Sequence, residues 1–405
     1  MSTSLLYHAF MIRGYEYVRT QYVGGSIVLT IKQPRDRLRC ACCGSQNVYQ
    51  RGHRWRLYQT LPIGGKPVWI EFNVPRVSCQ VCGAWRQVRV AFADERKRHT
   101  RAFARYILEL SRLMTIKDVA RHLGVGWDLV KEIQKEYLEK NFGKPKLRQV
   151  TLIAIDEISI RKGHRYVTIV LDLETGVVLY VGDGKKASAL DPFWKRLKAS
   201  RAKIKAVAMD MSAAYISAVT KQLPEAKIVF DRFHIMKLFN EALTTLRRQL
   251  YQQATEQLHK DVLKGIRWLL LKHSHNLDET RNEPQRLKDA LELNAPLAIA
   301  YYLKEDLRQL WEQPHKTAAR NFFTSWYLRA MASGIRVIQT FAKTLLIHAH
   351  GILAWYQYPI STGPLEGTNN KIKTMKRQAY GFRDMEFFKL RIFAIHLTRY
   401  RLVGC

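Results

Sequence analysis

Acid is what this sequence is short of. Its 405 residues hold 34 Asp and Glu against 67 Lys and Arg, a net charge of +33. Such a field repels cationic partners and draws in polyanions, nucleic acid first among them. Cysteine is scarce too, six residues in all. That excludes a disulfide-stapled scaffold in a chain this long and leaves metal ligation as the reading of any close cysteine grouping. No run reaches roughly 18 consecutive apolar residues, so no membrane span is expected. The longest apolar region, near 335–357, is interrupted by Arg336, Lys343, His348 and His350 and reads as an amphipathic helix. Met1 to Val18 carries Tyr7, His8, Arg13 and Glu16, a poor signal peptide. A cytoplasmic protein with reduced thiols is therefore expected. Internal repeats and low-complexity tracts are absent as well.

What is present is an ordinary supply of hydrophobic residues, 47%, enough to build separate cores in a length that allows about two to four domains. The positive surplus is uneven. Residues 1–150 hold 27 basic and 11 acidic residues, 251–300 hold 7 and 7, and 351–405 hold 9 and 3. Residues 15–34 and 53–78 alternate apolar and polar, with turns at Gly24-Gly25 and Pro62–Gly65, so 1–93 reads as an Arg-rich β domain. After the basic run Arg96–His99 the period changes to 3.6, through Phe103, Tyr106, Ile107 and Leu110. Residues 94–148 read as three helices and a linker. Across 149–233 the order is three strands, helix, strand, helix, strand, which is the order of an RNase H-like fold. No strand stands out in 234–355, an all-helical insertion with helices at 234–258, 260–273, 284–312 and 316–349. Residues 356–405 form a basic helical ending.

Cys40 and Cys43, and again Cys79 and Cys82, are spaced C-x2-C, with Gly44 and Gly83 following each pair at the same position. Two such knuckles separated by hairpin sequence suit one structural Zn²⁺ held by four thiolates, a zinc ribbon. Cys42 is a possible competitor of Cys40 or Cys43. Arg51, Arg54, Arg56 and Arg76 lie on the hairpin between the knuckles and are candidates to meet phosphate. Thr115 to Val130 has the grammar of a helix-turn-helix. Thr115 caps the first helix, Val119 and Ala120 face inward, Gly124 turns, and the second helix starts near Trp127, with Ile133 and Tyr137 continuing its buried stripe. Trp127, Asp128, Lys131 and Lys135 are its expected probing residues in a major groove.

Because acids are few, their placement carries information. Asp156 ends the apolar run Ile153-Ala154-Ile155, and Asp210 ends Ala206-Val207-Ala208-Met209. Two carboxylates at one sheet rim repel unless a cation binds, and hard oxygen ligands suit Mg²⁺ or Mn²⁺. Glu366 is the expected third acid. It shares a helix face with Asn369, Asn370 and Lys373, in a helix continuing to Lys376 and Arg377. Two metal ions so held serve in-line displacement at phosphorus. Asp172, Glu174 and Asp183 read as turn or flanking residues and Glu157 as an accessory. Asp231 and His234, three apart after the last strand, are a further candidate pair near the site.

Ile155-Asp156-Glu157, Val207 to Tyr215, Phe230-Asp231-Arg232-Phe233-His234 and Ser361 to Lys373, following the knuckle pair and the helix-turn-helix, resemble the DDE transposases of bacterial insertion sequences, specifically the ISL-three family, over nearly the whole chain. The resemblance implies an α/β RNase H-like catalytic core with a helical insertion before the last acid, two Mg²⁺ (or Mn²⁺) on Asp156, Asp210 and Glu366, and an Asp231–His234 pair bordering them. It further implies binding of double-stranded terminal inverted repeats and target DNA, cleavage and strand transfer, a homodimer or larger assembly on DNA, and a nucleoid-associated location in the bacterial cytoplasm. Trp268, Trp311 and Trp326 in the insertion are candidates for stacking on a displaced end base. The alternatives are a transposase-derived zinc and helix-turn-helix regulator without catalysis, and an RNase H-like nuclease without end specificity.

Overall fold

The structure, a computed structural model, describes residues 4–161 and 165–396. It divides into two compact units, residues 4–143 and residues 144–396; the part of the expected helical ending beyond 396 lies outside the described residues.

The first unit opens with helix α1 (Leu5–Phe10) and strands β1 (Glu16–Val23), β2 (Ser26–Lys32), β3 (Val48–Ile63), β4 (Lys66–Cys79) and β5 (Trp85–Gln87). The sheet order is β1-β2-β4-β3, with β5 also on β4. β2 and β4 run parallel and the other pairs antiparallel, so the sheet is mixed. Alternation fixes its buried face. Val68, Ile70, Phe72 and Val74 point into one core with Leu29, Ile31 and the α1 residues Leu6 and Phe10. Helices α2 (Arg101–Leu110), α3 (Ile116–Leu123) and α4 (Trp127–Phe142) follow. Their apolar stripes meet at Phe103, Ile107, Val119, Leu123, Val130 and Ile133. Tyr137, expected to continue that stripe, is exposed instead, and Leu138 takes the inward position one residue on.

The second unit is a five-stranded mixed sheet, order β10-β9-β6-β7-β8. Its strands are β6 (Leu152–Arg161), β7 (Arg165–Asp172), β8 (Val178–Asp183), β9 (Ala206–Met209) and β10 (Lys227–Phe230). β6, β7 and β8 are antiparallel; β9 and β10 run parallel to β6. Helices α5 (Asp191–Ser200) and α6 (Ala213–Gln222) join the strands, and α7 (Arg232–Gln253) leaves the sheet. Helices α8 (Gln257–Gly265), α9 (Glu283–Glu292), α10 (Ala295–Arg308), α11 (Lys316–Ala332), α12 (Arg336–Ile347) and α13 (Ala349–Leu353) come next, then α14 (Gly363–Gln378) and α15 (Met385–Phe393). The sheet is covered on both faces. Ile153, Ile155, Val207 and Met209 pack into the large core that includes α7 and the helices after it. Ala154, Ile158 and Ala208 pack against Leu365, Ile372, Phe388 and Ile392 of α14 and α15.

Several expected helices are shorter than their apolar periods. Pro296 starts α10 afresh, so 284–312 is broken at Leu293-Asn294. Gly334, at φ 69°, separates α11 from α12. The 260–273 stretch stops at Gly265. Beyond it the fully buried Lys304 donates from Nζ to the carbonyls of Leu270 (2.7 Å) and Lys272 (2.9 Å), satisfying backbone groups that a continuing helix would have used. Trp326 and Trp311 are core residues rather than surface platforms. Trp326 is fully buried, donates from Nε1 to the Leu303 carbonyl (2.8 Å) and packs against Phe239, Phe323 and Phe341. Trp268 is 63% exposed, with the Arg267 guanidinium 4.6 Å from its ring centre. Among the described residues no single helix is long and apolar enough to cross a membrane; α12 and the helical stretch after it, which together pass that test, bend by 66°.

Gly351 of α13 lies against the Phe230 ring at the end of β10, and an added Cβ would stand 2.4 Å from Phe230 Cε2. Gly351→Ala is expected to lower Tm by about 2–10 °C in thermal denaturation, the range for overpacking a closed core. Phe230→Leu in the same chain should recover part of the loss.

Candidate active site and metal centre

Strand register places the first two acids. The parallel pairing of β6 with β9 ends at Ala154 opposite Ala208. Two residues further along each chain come Asp156 and Asp210. Both have the parity of those alanines and so share the face covered by α14. Asp156 does not end its strand, as its position after an apolar run suggested. β6 continues to Arg161 because β7 keeps pairing with it after β9 has stopped, with Asp156 opposite Ile169. Asp210 does end β9, and its Oδ1 accepts from the Ser212 amide (3.0 Å) as the chain turns into α6.

Helix α14 closes over this rim. Asn369 is buried and donates from Nδ2 to Asp156 Oδ2 (2.8 Å). Glu366 sits in the first turn of the same helix and is exposed, as are Lys373 and Arg377, with Lys376 half-buried. Asp231, 3% exposed, ties the start of α14 to the sheet. Its Oδ1 accepts from the Thr362 amide (3.4 Å) and its Oδ2 pairs with His234 Nδ1 (3.2 Å). That bond raises His234, and the Asp156 and Asp231 charges add to the rise against the effect of burial. Asp231 is held below the carboxylate range because His234 and Thr362 outweigh its burial.

Glu157 points to the opposite face, beside Tyr215 of α6, whose hydroxyl is 2.9 Å from Thr168 Oγ1. Burial pushes the Tyr215 hydroxyl well above its ordinary range, so it stays a neutral donor or acceptor. Burial also raises Asp156 and Glu157, and the Asp210 charge raises both further. Two buried acceptors in this neighbourhood, Glu157 Oε2 and Asn369 Oδ1, have no hydrogen-bond partner. On the α14 face, the Asp156 and Asp210 carboxylates and the unpaired Asn369 oxygen are hard oxygen donors of the kind a divalent cation takes; Glu157 lies on the other face. Asp156, Asp210 and Glu366 do not, as a set, come within 4.8 Å of one another. Among the described residues only cysteines do so as a group of three or more metal-ligating side chains.

Those cysteines are Cys40, Cys43, Cys79 and Cys82. The two knuckles repeat one geometry. Gly44 and Gly83 donate to the Cys40 and Cys79 carbonyls (3.0 and 3.1 Å), both at positive φ, while the Cys40 and Cys79 amides donate to Ser45 and Ala84. Cys40 Sγ is 3.6 Å from Cys82 Sγ, and Cys43 Sγ 3.6 Å from Cys79 Sγ. A tetrahedral site with Zn–S near 2.3 Å has S–S edges of about 3.8 Å, so the set fits zinc. Cys42 stands outside the set, exposed, its amide donating to Cys40 Sγ (3.3 Å). The amides of Cys43 and Cys42 lower Cys40 to about 6. Cys82 rises to about 12 because its neighbours Cys43 and Cys40 outweigh the Ala84 amide, as expected of thiols that cannot all ionise without a cation.

Arg51 and Arg54 are exposed, while Arg56 donates to Gln87 Oε1 (2.9 Å) and is half-buried. In the helix-turn-helix, Thr115 caps α3 by accepting from the Asp118 amide, and Gly124 turns at φ 63°. Trp127 is 55% exposed at the start of α4 with Lys131 Nζ 5.9 Å from its ring centre. Lys131 and Lys135 are half-buried.

Three family profiles match the chain. One described as "Transposase" covers residues 153–392. One described as "Helix-turn-helix domain of transposase family ISL3" covers 88–138. A "zinc-finger of transposase IS204/IS1001/IS1096/IS1165" covers 36–82. The chain belongs to transposase family ISL3. It is 34% identical to the transposase for insertion sequence element IS1001 of Bordetella parapertussis, over 94% of this chain and 95% of that one. It is 27% identical to the transposase for element IS1557 of Mycobacterium tuberculosis, over 92% and 89%. A Drosophila P element transposase strand transfer complex covers 66% of this chain and 81% of its own at 8% identity and a TM-score of 0.34, too low to carry an argument.

For this ISL3 transposase, the Asn369–Asp156 bond, the Asp231–Thr362 tie and the Tyr215–Thr168 pair are features that residue spacing did not single out. Only the tertiary fold joins positions so far apart in sequence. Two outcomes are expected. Metal analysis of purified protein should find one zinc per chain, retained by Cys42→Ser and lost by Cys79→Ser. The pKa of Asp156 is raised on folding above its ordinary 3.8. The native state therefore binds the extra proton, and stability falls as pH rises from there through the raised value. Asp156→Asn should raise the Tm of protein free of divalent cations at pH 7, with the gain gone below about pH 4.

Proposed function

We propose that this ISL3 transposase is the DDE recombinase of a bacterial insertion sequence, acting in the cytoplasm at the nucleoid. The register that brings Asp156 and Asp210 to one rim under α14 carries the reading. The strand order β10-β9-β6-β7-β8 with helices on both faces supports an RNase H-like core, formed by residues 149–233 and 356–405 and split by a helical insertion at 234–355. Residues 1–93 and 94–148 are the zinc-ribbon and helix-turn-helix modules that find the terminal inverted repeats. Arg51, Arg54, Arg56, Trp127, Lys131 and Lys135 contact the repeats, and Lys376 and Arg377 the DNA at the core.

Asp156, Asp210 and Glu366 are the ligands of two Mg²⁺ or Mn²⁺ ions. Bound there, the ions supply an activated water and neutralise charge on the reacting phosphorus. Asn369 keeps the Asp156 carboxylate oriented, and Lys373 adds positive charge beside the phosphate path. The Asp231–His234 pair offers a cation next to Asp156. In the first step water oxygen bonds to phosphorus and the P–O3′ bond breaks, freeing a 3′-hydroxyl. In the second that hydroxyl attacks a target phosphodiester, forming one P–O bond as another breaks. Neither step uses a protein nucleophile. Since two ends must be joined, the working form is a dimer or larger assembly on DNA.

The test is strand-break mapping on linear DNA carrying the element's ends, with Mg²⁺ or Mn²⁺. Breaks at the ends, reduced by about 100-fold or more in Glu366→Gln, are expected for loss of a metal-binding acid. End binding without breaks in either protein would replace the recombinase by a regulator. Breaks that persist in the variant would remove Glu366 from the site.

A further inference from the structure

The zinc-bearing unit presents a surface that the repeat-binding reading leaves unexplained. Tyr49, Trp55 and Trp85 are each more than half exposed. Register lines two of them up. Tyr49 on β3 is opposite Ser78 on β4, and Ser78 is opposite Trp85 on β5. Directly opposed residues share a face, so the two rings flank a small serine in one row across three strands, about 10 Å apart. Each ring carries an arginine. The Arg76 guanidinium is 4.9 Å from the Trp85 ring centre and Arg51 is 6.0 Å from that of Tyr49. With Trp85 still 62% and Tyr49 58% exposed, both rings have room for a second flat partner. Cys79 and Cys82 lie between Ser78 and Trp85 in the chain, so the zinc centre fixes the row.

The charge around the row selects the partner. Between Asp36 and Asp94 the chain holds nine Lys and Arg and a single acid, Glu71. Arginines alone would suit the phosphates of a duplex. Exposed rings add nothing there, because paired bases turn their faces to one another. Rings beside arginines match unpaired nucleotides, whose bases stack while the guanidiniums take the phosphates. We propose that Tyr49 and Trp85, with Arg51 and Arg76, form a stacking site for unpaired nucleotides of single-stranded DNA at the end of the element. This rests on the reading that the unit binds element ends and adds that it prefers a frayed or tailed end to a fully paired one.

The experiment uses the zinc-loaded full chain and four DNAs: the paired end, a scrambled duplex, the paired end with a short unpaired tail, and the tail strand alone. Affinity is read by anisotropy, and 2-aminopurine in the tail reports stacking by quenching. Tighter binding of the tailed end, with quenching, is expected. Combining Tyr49→Ala with Trp85→Ala should weaken tailed-end and tail-strand binding about 5- to 100-fold, abolish the quenching and leave the paired end and the zinc content unchanged. Equal affinity for paired and tailed ends in the wild type would overturn the proposal. So would equal weakening on both in the variant, the mark of a duplex contact. Failure to distinguish the paired end from the scrambled duplex, with the tail strand still bound and quenched, would sink the end-binding reading and leave the stacking site standing.

Discussion

The strand register that sets two aspartates on one rim is the constraint on which the candidate acid site depends. Parallel pairing that stops at Ala154 and Ala208 leaves Asp156 and Asp210 on one face, and burial raises Asp156 with the Asp210 charge adding to the rise. Their surroundings bear on these charges. Asn369 donates to Asp156, and His234 is raised by its bond to Asp231 and by the Asp156 charge. On the α14 face the buried Asn369 oxygen is left without a partner. Oxygen donors so placed are the kind that the divalent cation of the proposed mechanism would take.

The zinc centre answers the same problem with different chemistry. Four thiols packed 3.6 Å apart in pairs also cannot all ionise alone. Here the donor set is soft, complete and closed, which suits a resident ion that holds β3, β4 and β5 in place. The acids proposed for the second site offer hard oxygen donors, and Glu366 among them is exposed. The cysteine set thus suits a resident structural ion, whereas the Mg²⁺ or Mn²⁺ of the proposed mechanism would be exchangeable.

Sequence made some of this legible for clear reasons. The short strands β9 and β10 show as apolar runs because both sheet faces are covered, and the cysteine knuckles show because spacing and a following glycine define them. Other features were hidden. Periodicity cannot say where a neighbouring strand stops, so Asp156 looked like a strand end although β7 carries β6 onward. Composition cannot separate a core tryptophan from a surface one in an all-helical region, which is why Trp311 and Trp326 read like Trp268. Charge patterning assigns a lysine to water, whereas Lys304 is sealed among carbonyls. The ties from Asp231 to Thr362 and from Asp156 to Asn369 cross the whole insertion and leave no local signature.

The second of those ties spans 213 residues and ends in one of the last helices of the chain. Domains form in order as a polypeptide leaves the ribosome. The zinc and helix-turn-helix modules can therefore engage DNA while the carboxylate rim still lacks α14. A product cut short before α14 would lack the Asn369 donor that holds the Asp156 carboxylate, although its zinc and helix-turn-helix modules were whole.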